Sequence, residues 1–147
     1  MEPTIETLEA RPALGIRAEV KMQEIGNRMG ELIGRVMAVA GPHCAGPIVS
    51  RWHTWEDDGG EMEVAVPVRE AMEDQGELKA STLPAGPAAV LVHVGAYDNL
   101  IESWTALGTW MKENGKVGRA APWEEYIDDP GATPASEVRT RIVWPIE

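Results

Sequence analysis

Phenylalanine is absent from this 147-residue chain, cysteine occurs once, and lysine plus arginine reach 13 against 24 acids. Each shortage excludes something. Cys44 alone cannot form an internal disulfide, so nothing points to a secreted disulfide scaffold and the cytoplasm is the expected location. A net charge of −11, with the basic residues scattered, removes the clustered positive surface that direct nucleic-acid binding requires. No apolar run approaches the ~20 residues of a membrane helix. The opening Met1-Glu2-Pro3-Thr4 lacks the basic and apolar regions of a signal peptide, so no membrane partner is expected. The three histidines and Cys44 show no metal-ligand spacing, and His43 and Cys44 are adjacent. There is no P-loop, dinucleotide fingerprint or nucleophile elbow, and neither metal nor cofactor is expected.

What the chain does have is a 44% hydrophobic content, enough for a packed core, in a length that suits one domain over residues 1–147. It also reads as two similar halves. Pro12-Ala13-Leu14-Gly15-Ile16 aligns with Pro87-Ala88-Ala89-Val90-Leu91, a helical run follows in each half, and Val66-Pro67-Val68 answers Trp144-Pro145-Ile146. The first repeat covers about 3–68 and the second about 77–147.

Met22, Ile25, Met29, Leu32, Ile33, Val36 and Met37 recur at helical spacing, and Gly41-Pro42 ends that helix. Gly30 and Gly34 within it read as close helix packing. The second helix spans Asp98–Glu113, with Leu100, Trp104, Leu107 and Met111 in one stripe, Asp98 as N-cap and Asn114-Gly115 as the stop. Strands are expected at Thr4–Leu8 and Leu14–Val20 as an opening pair, and at Ile48–Trp55 and Glu61–Val66 as a hairpin turned by Asp57-Asp58-Gly59-Gly60. Leu78–Leu83, Ala89–Val94, Trp123–Ile127 and Val138–Trp144 repeat the series, with a turn at Asp128-Asp129-Pro130-Gly131. The fold class is therefore α+β, with two pseudo-two-fold-related βαββ-type repeats, each an antiparallel sheet plus a helix. Packing two such repeats together is expected to leave a central ligand cleft.

Six tryptophans and two tyrosines make up the aromatic set. Glu124 and Tyr126 stand at i, i+2 on an expected strand and so share a face. A carboxylate beside aromatic rings suits a cationic aromatic molecule, and it also suits proton transfer. Glu125, which shares the other face with Trp123 and Ile127, is the competing carboxylate. Trp52 lies near the repeat equivalent of Tyr126, Trp55 follows it, and Tyr97 and Trp104 open the second helix. Core packing competes with wall-building for each of these rings.

Gly95-Ala96-Tyr97-Asp98, the helix with Trp104, Leu107 and Trp110, Trp123-Glu124-Glu125-Tyr126-Ile127-Asp128-Asp129-Pro130 and the closing Arg139–Ile146 together resemble the GyrI-like small-molecule-binding domain, in stand-alone form. In multidrug-sensing transcription regulators this is the effector-binding domain. The resemblance implies a ligand cleft with Glu124 as charge partner and Tyr126, Trp52, Trp104, Tyr97 and Trp55 as walls, binding a small lipophilic or cationic aromatic ligand for sensing or sequestration. Some family members are hydrolases that open strained cyclopropanoid rings, in which case Glu124 and Tyr126 would be catalytic. A gyrase-inhibitor-like interaction module is the further alternative, with gyrase or a regulator as protein partner. A helix-turn-helix is not expected ahead of Thr4.

Overall fold

The computed structural model describes residues 2–129 and 131–147; Pro130, part of the turn expected after Tyr126, lies outside them. In chain order the elements are β1 (Thr4–Leu8), β2 (Arg11–Lys21), α1 (Ile25–Ala40), β3 (Val49–Trp52), β4 (Gly59–Pro67), β5 (Lys79–Leu83), β6 (Gly86–Val94), α2 (Leu100–Glu113), β7 (Trp123–Tyr126) and β8 (Arg139–Pro145). Short 3-10 turns precede α1 at Met22–Glu24, follow it at Gly41–His43 and precede α2 at Tyr97–Asn99. Among the described residues no helix is long and apolar enough to cross a membrane.

The chain forms two compact units. The early unit, Glu9–Ala85, carries an antiparallel sheet in the order β3-β4-β2-β5. Leu14, Ile16 and Val20 of β2 alternate inward with Met62, Val64 and Val66 of β4, and α1 covers them with Leu32, Val36 and Ala40. Burying each such aliphatic side chain stabilises the fold by roughly 1.5–3 kcal/mol. Where β2 runs between β4 and β5, Gly15 is required by space: a Cβ there would stand 2.4 Å from the Val64 carbonyl oxygen and 2.5 Å from the Ala65 Cβ. Gly30 and Gly34 are not close-packed as their positions in the helix implied. A Cβ at either would meet nothing within 4 Å, because the packed stripe of α1 runs along Leu32, Val36 and Ala40 instead.

The late unit comprises Gly86–Glu147 with the leading segment through Leu8. Its sheet order is β7-β8-β6-β1, the same pattern in which the strand after the helix lies outermost, and α2 packs on β6. Ala89, Leu91, Ile142 and Ile146 from the sheet meet Leu107 and Met111 from α2, with Leu100, Trp104, Trp110 and Trp144 packed around them.

The expected opening pair of Thr4–Leu8 with Leu14–Val20 does not form. β1 pairs with β6, from Thr4 opposite Val90 to Leu8 opposite Gly86, and β2 takes β5 as its outer neighbour. Only Glu9 and Ala10 separate β1 from β2, and no non-glycine residue among those described has positive φ, so the primed turn of a two-residue hairpin is not available there. Asp98 does not cap α2 either. It lies within the 3-10 turn, and Asn99 stands at the cap without a side-chain bond. At the other end Asn114 donates through Nδ2 to the Trp110 carbonyl at 2.8 Å, and Gly115 takes φ +65°, ending the helix as its residues lead one to expect. Pro67 and Pro145 both fall at strand ends.

Candidate functional site

Strand register decides between the two neighbouring carboxylates of β7. Glu124 is opposite Ile142, which faces α2, so Glu124 and Tyr126 face α2 as well. Glu125 is opposite Arg141 and points the other way. There it accepts from Arg141 Nη1 at 3.1 and 3.2 Å and from the Trp123 indole at 2.8 Å, while Arg141 Nη2 also reaches Glu6 at 2.7 Å. Glu125, itself buried, is thus engaged by a half-buried arginine beside the fully buried Trp123.

Glu124 is 8% exposed. Trp104, about one turn into α2, donates its indole N–H to Oε2 at 2.6 Å, and the Tyr126 hydroxyl donates to Oε1 at 2.7 Å. Tyr97 meets Tyr126 edge-on, with centroids 5.8 Å apart, and Trp104 meets Trp144 edge-on at 5.9 Å. The late unit therefore gathers a carboxylate and four rings. Glu124, Tyr126, Tyr97 and Trp104, expected from the sequence as ligand-binding residues, are brought together here. Trp144, opposite Ala89 on the central strand pair, joins them without any sequence signal that marked it.

Trp52 and Trp55 belong to the early unit. Trp52, on β3 opposite Met62, packs against the core under α1, and Trp55 in the following loop meets it edge-on at 4.8 Å while remaining 51% exposed. His53 turns to the other sheet face, where its Nε2 lies 2.8 Å from Oε1 of the buried Glu63, and Ser81 donates to Oε2 of the same carboxylate at 3.0 Å.

Acids lie around Tyr97. Burial raises the Tyr97 phenol above its ordinary value, and the charges of Glu124, Asp128 and Asp129 push the same way. The carboxyl of Asp128 is itself held below its usual range, chiefly by the hydrogen bond from Arg139. Burial also draws the Arg51 guanidinium downward, with Glu63 opposing that shift and Arg17 adding to it. Near α2, the 3-10 turn is fastened by His93. Its Nε2 lies 3.0 Å from the Ala96 carbonyl, which can only accept, so Nε2 carries a proton and in the neutral ring Nδ1 accepts from Ser103 Oγ at 2.7 Å. Sequence reasoning passed over both residues, for want of any spacing that marks a histidine as a latch. Among the described residues no group of three His, Cys, Asp or Glu is placed to hold a metal ion.

Chemically, the late unit sets two buried carboxylate oxygens among several aromatic rings. A family model described as GyrI-like small molecule binding domain matches residues 1–147. The C-terminal domain of EcmrR superposes with a TM-score of 0.85 at 20% identity, over 99% of this chain and 97% of that one. SAV2435 bound to tetraphenylphosphonium superposes at 0.79 and 18% identity, over 100% and 94%. A hydrolase from Listeria innocua does so at 0.68 and 12% identity, over 99% and 92%. Comparison with curated proteins returned no match. At these identities the structural likeness is one of fold.

Proposed function

Because the chain belongs to the GyrI-like small-molecule-binding family, we propose that it binds small lipophilic cations with aromatic bodies, at Glu124 and the rings around it, in order to sense or sequester them. The observation that carries this reading is the buried Glu124 carboxylate held between the Trp104 and Tyr126 donors, with Tyr97 edge-on to Tyr126 beside it. Tetraphenylphosphonium is the natural probe, since SAV2435 is a fold neighbour bound to it. Titrating the protein with this cation and following tryptophan fluorescence should give saturable quenching, because Trp104 touches the proposed charge partner. A linear, unsaturable response would count against the site. Repeating the titration on Trp52→Phe and Trp55→Phe tests whether the early-unit pair takes part.

A second reading, hydrolysis of a strained ring, is supported by the 2.7 Å bond from the Tyr126 hydroxyl to Glu124. Glu124 would take a proton from water as the water oxygen bonds to a ring carbon; the pair of the breaking ring C–C bond passes to the substrate's own conjugated carbonyl, which then receives that proton back from Glu124, while Tyr126 holds the carboxylate. Incubation with a cyclopropane-bearing alkylator followed by mass spectrometry would show one added water per product over many turnovers. Stoichiometric capture without turnover would leave the binder reading alone.

A further inference from the structure

Three hydrogen-bonding side chains stand in one row across the α2-facing side of the late unit. Thr140 on β8 is the direct cross-strand partner of His93 on β6 and of Tyr126 on β7. Residues opposed in this way share a face, with Cβ atoms about 4.5–5.5 Å apart. The outer two members are committed: His93 to Ser103 and the Ala96 carbonyl, Tyr126 to Glu124. The middle one is not. Thr140 is 0% exposed, and its Oγ1 has no hydrogen-bond partner among the described residues.

A buried hydroxyl left in this state costs roughly 1–3 kcal/mol, and valine would fill the same volume without that penalty. The hydroxyl therefore invites a partner that arrives from outside the chain. Along β7, Glu124 lies one same-face position from Tyr126, which makes it a diagonal neighbour of Thr140 at about 7–8 Å between backbones. A ligand that carries several N–H donors on a delocalised cation can reach both groups.

We infer that Thr140 Oγ1 accepts a hydrogen bond from the bound cation, so that this site prefers aromatic amidinium or protonated amine ligands to quaternary cations. The proposal rests on the reading of Glu124 as the ligand's charge partner and refines it to a chemical class. Access requires a neighbouring ring to turn aside. Tyr97, 39% exposed and edge-on to Tyr126, is the ring with room to do so. Once the cation is seated, its aromatic body takes the place of that ring contact, its charge faces Glu124, and one N–H satisfies Thr140.

Isothermal titration with two probes tests this. Tetraphenylphosphonium has no hydrogen-bond donor; 4-phenylbenzamidinium has four N–H groups on a comparable aromatic cation. The wild type should prefer the amidinium, and Thr140→Val should lower the amidinium-to-phosphonium affinity ratio about tenfold, equivalent to ~1.4 kcal/mol. Thr140→Ser, which keeps the hydroxyl, should restore most of the ratio. A purely structural role for Thr140 would move both affinities together and leave the ratio fixed, which overturns the assignment, as does an amidinium that fails to bind where the phosphonium succeeds. Absence of saturable phosphonium binding to the wild type overturns the charge-partner reading itself. Thermal melting confirms that both variants fold; Thr140→Val should melt no lower than the wild type.

Discussion

Replacing Glu124 with glutamine removes a charge at nearly constant shape, and the structure sets the size of the effect. Two unit charges 4–5 Å apart attract by about 3–4 kcal/mol at an effective dielectric constant of 20. Desolvation of the incoming cation offsets part of that, so a net loss of about 1.4–2.7 kcal/mol is expected, a tenfold to hundredfold rise in Kd. The neutral side chain also disturbs its donors. Glutamine offers one acceptor oxygen where the carboxylate offered two, so either the Trp104 indole or the Tyr126 hydroxyl must find another acceptor. That costs on the order of 1 kcal/mol in stability and should lower the melting temperature by a few degrees. The assay is paired calorimetry with tetraphenylphosphonium and with triphenylphosphine oxide, a neutral molecule of similar bulk, on wild type and Glu124→Gln. The cation should weaken far more than the oxide. Equal weakening of both would mean that the substitution disturbs shape rather than charge, and unchanged affinity for the cation in a folded variant would refute the assignment of Glu124.

The neighbouring acid should behave in the opposite way. Glu125→Gln weakens the half-buried pair with Arg141, which keeps Glu6, so chemical denaturation should show a loss of about 1–3 kcal/mol while phosphonium affinity stays within a factor of two or three. A variant with normal stability and lost binding would reverse the roles of the two carboxylates. Tyr97 should ionise late. Its phenol is raised by burial and by three nearby acids, so its contribution to stability is present below the ordinary tyrosine value and fades as pH climbs past about 10. A bound cation counters those acids and should move the 295 nm phenolate onset to lower pH, a shift that Tyr97→Phe abolishes; an onset indifferent to ligand would separate Tyr97 from the site. Gly15→Ala places a methyl group against Val64 and Ala65 and should cost roughly 1–3 kcal/mol by denaturant melting, whereas Gly30→Ala, with open space around it, should stabilise α1 by about 1 kcal/mol.

Much of the architecture can be read from hydrophobic period alone, because alternation in Leu14–Val20 or Ala89–Val94 and the stripe Leu100–Trp104–Leu107–Met111 each report one buried face. What period cannot report is the partner. Thr4–Leu8 alternates as a strand should, but nothing in Thr-Ile-Glu-Thr-Leu says that its neighbour is β6 rather than the strand two residues ahead. The same limit applies to the site. Alternation placed Glu124 and Tyr126 on a common face but could not say which face meets α2; the register of β7 against Ile142 and Arg141 decides that. Trp104 was legible as part of the helix stripe, while its bond to Glu124 depends on how α2 sits over the sheet, a property of tertiary packing. Thr140 and His93 carried no motif, and their meaning comes from a cross-strand row that exists only once β6, β8 and β7 are assembled.

The pairing of β1 with β6 has a consequence for synthesis. Thr4 meets Val90, so β1 leaves the ribosome about 86 residues before its partner. At 5–20 residues per second it waits roughly 4–17 s with its backbone groups unclaimed. Over that interval the early unit can assemble and the β1 segment cannot. Ile5 and Leu8 remain open to chaperones or to the β6 edge of another nascent copy, and polysomes that crowd these chains together favour exchange of that strand between molecules.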